Sequence, residues 1–279
     1  MLDHICRMLS DGRGLVSYWR HSAESRKTMD CHVTRHSYGS HRQQYFLLLE
    51  PAGSSPTDDL LWAFYFHGGG WTFGTPEAFS PAARPWLAAG FRVVMPSFRR
   101  PPRQGLPAIV EDCRLALAAA ADLGRVRGLA LGRPQIGGIS SGGHLAALLT
   151  LHPEWWTAAG WPGPPDHAML CAAPYDLRML FPSWLLGRRA AQCPARCFTV
   201  ADHCRWLLIH GTHDGLVDYR NSVAFLQRLR DAGAAAELIT IEGGGHLDAG
   251  RWTYDPEDPR AAAIADFVRS AGPAPPAAG

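Results

Sequence analysis

From residue 31 onward, short apolar runs alternate with longer segments whose apolar positions recur at helical spacing. Strand-like runs cover Cys31–His36, Tyr45–Glu50, Leu60–Phe66, Phe91–Pro96, Gln135–Ile139, Ala168–Ala173, Trp206–His210 and Ala235–Ile241. Two of them, Leu61-Trp-Ala-Phe-Tyr-Phe66 and Trp206-Leu-Leu-Ile209, are apolar without a break. Strands buried on both faces of a parallel sheet have that composition. Helical segments lie between the runs at Ala82–Ala89, Leu106–Leu123, Gly142–Leu151, Asn221–Ala232 and Pro259–Ser270. The alternation predicts one α/β domain over residues 31–270, a three-layer α/β/α sandwich around a mostly parallel eight-stranded sheet. The first two strands have no helix between them, which predicts an antiparallel hairpin.

Three stretches depart from this rhythm. Residues 1–30 are polar and rich in Arg and Ser, with apolar patches at Ile5–Leu9 and Leu15–Trp19. They predict a helical N-terminal extension, and two roles stay open for it: a cap over the site or a homodimer contact. Residues 177–204 hold Pro182, Trp184 and three cysteines without periodicity, which predicts a small cap inserted between two strands. The Ala/Pro/Gly tail 271–279 has nothing to bury and is expected to be disordered.

Composition narrows the class. Over 279 residues, 47% hydrophobic and 19% charged is an ordinary globular balance that excludes wholesale disorder. Basic and acidic residues number 27 and 25, leaving no electrostatic footprint for nucleic acid or a membrane surface. No run approaches the ~18 apolar residues of a membrane span. The N-terminus carries Asp3 and Arg7 without an apolar core, so no secretory signal is expected. Seven scattered cysteines suit reduced thiols in the cytoplasm better than a disulfide framework. Glycine and proline, at 29 and 22, are in excess, which means either disorder or many special turns.

The motifs favour turns. Gly138-Ile139-Ser140-Ser141-Gly142 matches G-x-S-x-G and falls between a predicted strand and a predicted helix. A nucleophile elbow needs this arrangement, because glycines on either side of a strained serine avoid Cβ clashes. Ser141 is a rival nucleophile, but only Ser140 lies midway between Gly138 and Gly142. His67-Gly68-Gly69-Gly70-Trp71 follows the buried third strand. Consecutive glycines let backbone N–H groups converge, as an oxyanion hole requires. Gly69, Gly70 and Ser141 are the expected donors. Downstream, His210-Gly-Thr-His-Asp214 and Gly243-Gly-Gly-His246 each end a predicted strand, so Asp214 and His246 sit at the sheet edge where ligands bind. Asp218, Glu242 and Asp248 are rival carboxylates.

HGGGW, GISSGGH, HGTHD and GGGH in this order resemble the α/β-hydrolase superfamily. They are most similar to its HGGG-bearing branch, which holds hormone-sensitive-lipase-like esterases and arylformamidases. The resemblance covers roughly residues 31–270. It implies Ser140 as nucleophile, Asp214 as acid, His246 as base and no metal or organic cofactor. Met95-Pro-Ser-Phe-Arg99 stands where the esterases carry a Tyr-Arg-Leu-Ala-Pro-like run and departs from it. Trp71 is the variant of the formamidase group, and it is the expected substrate-binding residue. The implied function is hydrolysis of small carboxylic esters through an acyl-enzyme. The alternatives are cleavage of N-formyl aromatic amines such as N-formylkynurenine, and a non-catalytic binding protein on the same fold. The expected partner is a small-molecule ester or amide.

Weaker candidates have ordinary readings. Cys193, Cys197, His203 and Cys204 are zinc-ligand types, but their spacing matches no strong template, so no metal is expected. His144 reads as a structural histidine and Trp155-Trp156 as packing.

Overall fold

The computed structural model describes residues 2–101, 104–180, 193–194 and 204–270. Eight strands form one sheet: β1 (Cys31–Ser37), β2 (Tyr45–Pro51), β3 (Leu61–Phe66), β4 (Phe91–Pro96), β5 (Gln135–Ile139), β6 (His167–Cys171), β7 (Arg205–Gly211) and β8 (Ala236–Ile241). Their order is β1-β2-β4-β3-β5-β6-β7-β8. β1 pairs antiparallel with β2, as expected, and β2 pairs antiparallel with β4. Every other pairing is parallel. The helices are α1 (Leu2–Lys27), α2 (Pro76–Phe79), α3 (Arg84–Ala88), α4 (Leu106–Val126), α5 (Ser141–Thr150), α6 (Pro153–Ala158), α7 (Arg220–Asp231) and α8 (Ala261–Arg269).

The unbroken apolar run of β3 is sorted by strand alternation. Trp62, Phe64 and Phe66 enter one core, with α4, α5 and α6. Ala63 and Tyr65 enter the other, with Trp86, Met95 and Ile264. In the first core Phe64 meets Trp156 and Trp161 edge-on at 5.3 Å each. Each indole also finds a partner for its N–H: Trp156 donates to Leu149 O and Trp161 to Leu117 O, at 2.9 and 3.0 Å. Burying so much aromatic area would be far less favourable with either N–H unpaired.

The structure departs from the sequence reading in a few places. The single helix expected over Ala82–Ala89 is the end of a 3-10 turn (Ser80–Ala83) followed by α3, and α2 before them was not expected. Each has a proline at its first or second position, at 76, 81 and 85, which lacks the N–H needed to continue a helix from before it. α6 and a 3-10 helix over Leu247–Thr253 were not expected. The N-terminal stretch is one long helix whose Tyr18 is buried among Phe79, Trp19 and Tyr254. Nearly all of the expected cap insertion 177–204 and the whole tail 271–279 lie outside the described residues. No helix among the described residues is long and apolar enough to cross a membrane.

Trp156 carries much of the packing between β3 and the helices above it. Replacement by alanine is expected to lower the unfolding free energy by about 3–5 kcal/mol. Urea titration at pH 7 measures this, and a loss under ~1 kcal/mol would contradict the packing described.

Candidate active site

Ser140 occupies the turn between β5 and α5 with φ 55° and ψ −125°. A non-glycine residue in that region costs on the order of 1–3 kcal/mol, so its surroundings must hold it there. Its N–H is fixed to Cys171 O at 2.8 Å. The turn also presses against β3: a Cβ on Gly142 would lie 2.0 Å from Phe66 O, and one on Gly138 2.6 Å from the Gly142 carbonyl carbon. Glycine is therefore required at both flanking positions. Ser141, the rival serine, heads α5 with its side chain buried.

Asp214 and His246 lie on the loops after β7 and β8, which pair as parallel neighbours. His246 Nδ1–H donates to Asp214 Oδ2 at 2.7 Å, which leaves Nε2 without the proton in the neutral ring. The carboxylate is fully occupied. Its Oδ1 accepts the N–H groups of Leu216 and Val217 at 2.8 Å each, and its Oδ2 also meets His210 Nε2 at 2.9 Å. His210 Nε2 lies 3.0 Å from Val217 O as well, and two acceptors there make Nε2–H the donor. Nδ1 then accepts from the Ser222 hydroxyl at 2.7 Å. Burial opposes charge on Asp214, but the facing imidazoles and their hydrogen bonds outweigh it and hold the carboxyl far below its ordinary range. Burial also opposes protonation of His246, yet the Asp214 carboxylate, and more weakly Asp11, raise its pKa above the ordinary value. Of the rival carboxylates, Asp218 pairs with Arg220, and Asp248 accepts the Gly245 N–H.

The glycine loop after β3 is a tight left-handed curl. Gly69, Gly70 and Trp71 have φ values of 123°, 56° and 61°. Gly69 O accepts the N–H groups of Thr72 and Phe73, both at 3.0 Å. A Cβ on Gly69 would fall 2.1 Å from Phe73 O. His67 anchors the curl by donating Nδ1–H to Gly68 O at 2.8 Å, and burial drives its pKa down to about 3. Its ring stacks on Phe98 at 4.7 Å. Phe98 is held by its neighbour Arg99, whose guanidinium and backbone N–H grip the buried Asp112 at 2.7–3.0 Å. Gln44 completes that cluster at 2.8 Å. The Ser97-Phe98-Arg99 stretch thus supports the glycine loop from behind.

These parts meet at a cavity of about 230 Å³. Its wall includes Gly69, Gly70, Trp71, Ser140, Ser141 and His246, so every expected site residue except the deeper Asp214 lines it. Trp71 is buried and edge-on to His144 at 5.2 Å. The rest of the wall is mostly apolar, with Phe73, Phe79, Leu216 and Leu247. α1 adds Leu15, Tyr18 and Trp19. Sequence reasoning missed that contribution, and it also missed His210 and Asp11. The position of His210 at the end of an apolar strand, four residues before Asp214, was a usable signal. Asp11 offered none, since its partners lie more than 200 residues away. Trp156 is core, as expected, and lines no part of the cavity. Cys193 and Cys204 are buried, while Cys197 and His203 lie outside the described residues. No group of three potential metal ligands occurs among the described residues.

The family model for the alpha/beta hydrolase fold matches residues 63–183, and that for the prolyl oligopeptidase family matches residues 186–270. The structure is similar to an inhibited esterase B from Lactobacillus rhamnosis, with TM-score 0.74 and 19% identity over 97% of this chain and 96% of that one. It is also similar to a truncated carbohydrate esterase from gut microbiota, with TM-score 0.73 and 19% identity over 87% of this chain and 98% of that one. At such identity these likenesses speak for the fold alone. Esterase LipI of Mycobacterium tuberculosis is 36% identical over 86 residues, covering 30% of this chain and only 27% of that protein's length. The sheet order and the family model over residues 63–183 show the α/β-hydrolase fold. The His67-Gly68-Gly69-Gly70 loop is similar to that of its HGGG-bearing branch.

The contrasting imidazole environments can be read directly by NMR of the ring nitrogens. His67 is expected to stay neutral from pH 8 down to 5. His246 is expected to protonate at a higher pH than a free imidazole, whose own pKa is about 6.5. Protonation of His67 above pH 5 would contradict the buried donor geometry.

Proposed function

We propose that the protein is a serine hydrolase that cleaves small carboxylic esters through an acyl-enzyme, with Ser140, Asp214 and His246 as its triad. One observation carries the reading: a serine on a strained strand-to-helix turn and a histidine seated on a buried carboxylate line the same apolar cavity. In this mechanism His246 Nε2 takes the Ser140 proton as Oγ attacks the substrate carbonyl carbon. Asp214 keeps Nδ1 protonated and stabilises the imidazolium. The N–H groups of Gly69, Gly70 and Ser141 stabilise the oxyanion, each worth roughly 2.7–4 kcal/mol of barrier. His246 returns the proton to the leaving alcohol, then activates a water that releases the acid. The apolar wall and modest cavity volume favour a short acyl or aromatic group over a charged one. Free, buried thiols at Cys113, Cys171 and Cys204 support a cytoplasmic setting.

A fluorophosphonate probe and a substrate panel test this reading. Wild type is expected to label at Ser140 and to turn over p-nitrophenyl acetate and butyrate. Ser140→Ala is expected to lose on the order of a million-fold in kcat. A far higher kcat/KM on N-formylkynurenine would replace the ester reading with the formamidase one, and failure to label would favour a binding protein.

The pH profile is a second check. His246 is a base only when neutral, and its pKa is raised. Activity should therefore be full on the alkaline side and fall as pH drops through a midpoint above about 6.5. A flat profile from pH 5 to 8 would exclude His246 as the base.

A further inference from the structure

α1 touches both loops that carry the proposed acid and base, and it does so through one side chain. Asp11 is buried, with 8% of its surface exposed. Its Oδ2 accepts the N–H of Gly215 at 2.8 Å, next to Asp214. Its Oδ1 accepts the N–H of His246 itself at 3.0 Å. The fit is close enough to dictate a neighbour: a Cβ on Gly245 would lie 2.4 Å from Asp11 Oδ1. One and two turns further along the same helix, Leu15, Tyr18 and Trp19 form cavity wall.

We propose that Asp11 is a positioning residue, whose two carboxylate oxygens hold the Asp214 and His246 loops in register by one hydrogen bond to each. This rests on the hydrolase reading. The two loops are adjacent because β7 and β8 pair, but strand pairing ends at Gly211 and Ile241. Just beyond those residues the loops still bond directly, His213 N–H to Gly244 O at 2.8 Å and Gly243 N–H to Thr212 Oγ1 at 2.9 Å. Nearer the reacting groups, at residues 215 and 246, Asp11 joins them. The direct side-chain link between Asp214 and His246 is the one the reaction itself uses. A rigid carboxylate bracing both backbones keeps the His246 ring aimed while that link gains and loses charge.

The charge of Asp11 has a separate effect. The groups around His246 are Asp214 and, behind it, His210; Asp11 from α1; and Asp248 from the 3-10 helix that follows. Arg7, His213, Tyr18 and Tyr254 border the polar cleft behind them. Asp11 adds a second negative charge near His246, and that favours the imidazolium. Removing the charge while keeping the shape should therefore make His246 a weaker base, an effect that packing alone would not produce.

The test compares wild type with Asp11→Asn, Gly245→Ala and the double variant in the full-length protein, using p-nitrophenyl butyrate and the rate of fluorophosphonate labelling from pH 5 to 9. Asp11→Asn keeps one acceptor oxygen and loses the charge. It is expected to lower kcat by about 10- to 100-fold, the range set by one hydrogen bond to a charged group. KM should change less than twofold, and the acid limb should move to lower pH. Gly245→Ala displaces the carboxylate from the other side and should produce the same kcat loss and the same direction of shift. The double variant should be little worse than either single one, since both remove the same contact. Arg20→Ala, on the exposed side of α1, should leave activity unchanged. If Asp11→Asn does not fold by thermal melting, Gly245→Ala decides alone. Wild-type kcat and an unmoved acid limb in the folded variant would overturn the inference while wild-type labelling left the hydrolase reading intact. Wild type that never labels would instead overturn the reading beneath it.

Discussion

The whole arrangement depends on how closely the turn after β5 approaches the end of β3. Phe66 O occupies the place where a side chain at position 142 would begin. Only glycine there lets α5 start directly behind the sheet edge. That start puts Ser140 in its left-handed conformation and brings the Ser141 N–H beside the glycine loop that leaves β3. The two loops are neighbours because β3 and β5 pair, with Phe66 opposite Gly138. A slip of one residue in that pairing would separate the strained serine from the curl that faces it.

The second organising feature is electrostatic. Asp214 is an ionised group with no exposed surface, a costly thing to bury. The cost is offset by complete pairing: two backbone N–H groups on one oxygen and two imidazoles on the other. His210 and Ser222 form a buried chain behind the carboxylate that fixes its rotation. The polarity of the site is thus concentrated on one side. The opposite wall, from Trp71 round to α1, is apolar, and excluding water there strengthens each charge interaction within.

The sheet was legible because its signal is local: short, mostly apolar runs, several of them, such as β3, β5, β7 and β8, ended by a glycine-rich motif at the strand's C-terminal edge. All eight strands lie where the apolar runs are. Ser140, Asp214 and His246 could be read in the same way, since each follows its strand by a few residues. Helices were less legible where proline intervenes, as between Pro76 and Pro85, because helical spacing survives in sequence even when the backbone must restart. Asp11 could not be read at all. It sits in a polar helical stretch among ordinary surface residues, and nothing near it in sequence says that its partners are the amides of residues 215 and 246. His210 lies between these cases. Its place in the motif was visible, whereas its two acceptors depend on how the loop to Val217 folds back.

The distance along the chain between Asp11 and His246, 235 residues, also matters during synthesis. α1 leaves the ribosome well before β8, and although Tyr18 and Trp19 can already meet Phe79, the wall that Leu15 shares with Leu247 is incomplete until the loop after β8 arrives. At about 5–20 residues per second, that interval is on the order of 10–50 s. The side of α1 that carries Asp11 is uncovered for all of it, long enough for nascent-chain chaperones to bind or for two such helices from neighbouring polysomal chains to meet. The contact that closes the site is among the last the chain can make. A molecule stalled or cut short of residue 246 would carry the serine and most of the cavity wall but neither the base nor the amide that Asp11 holds.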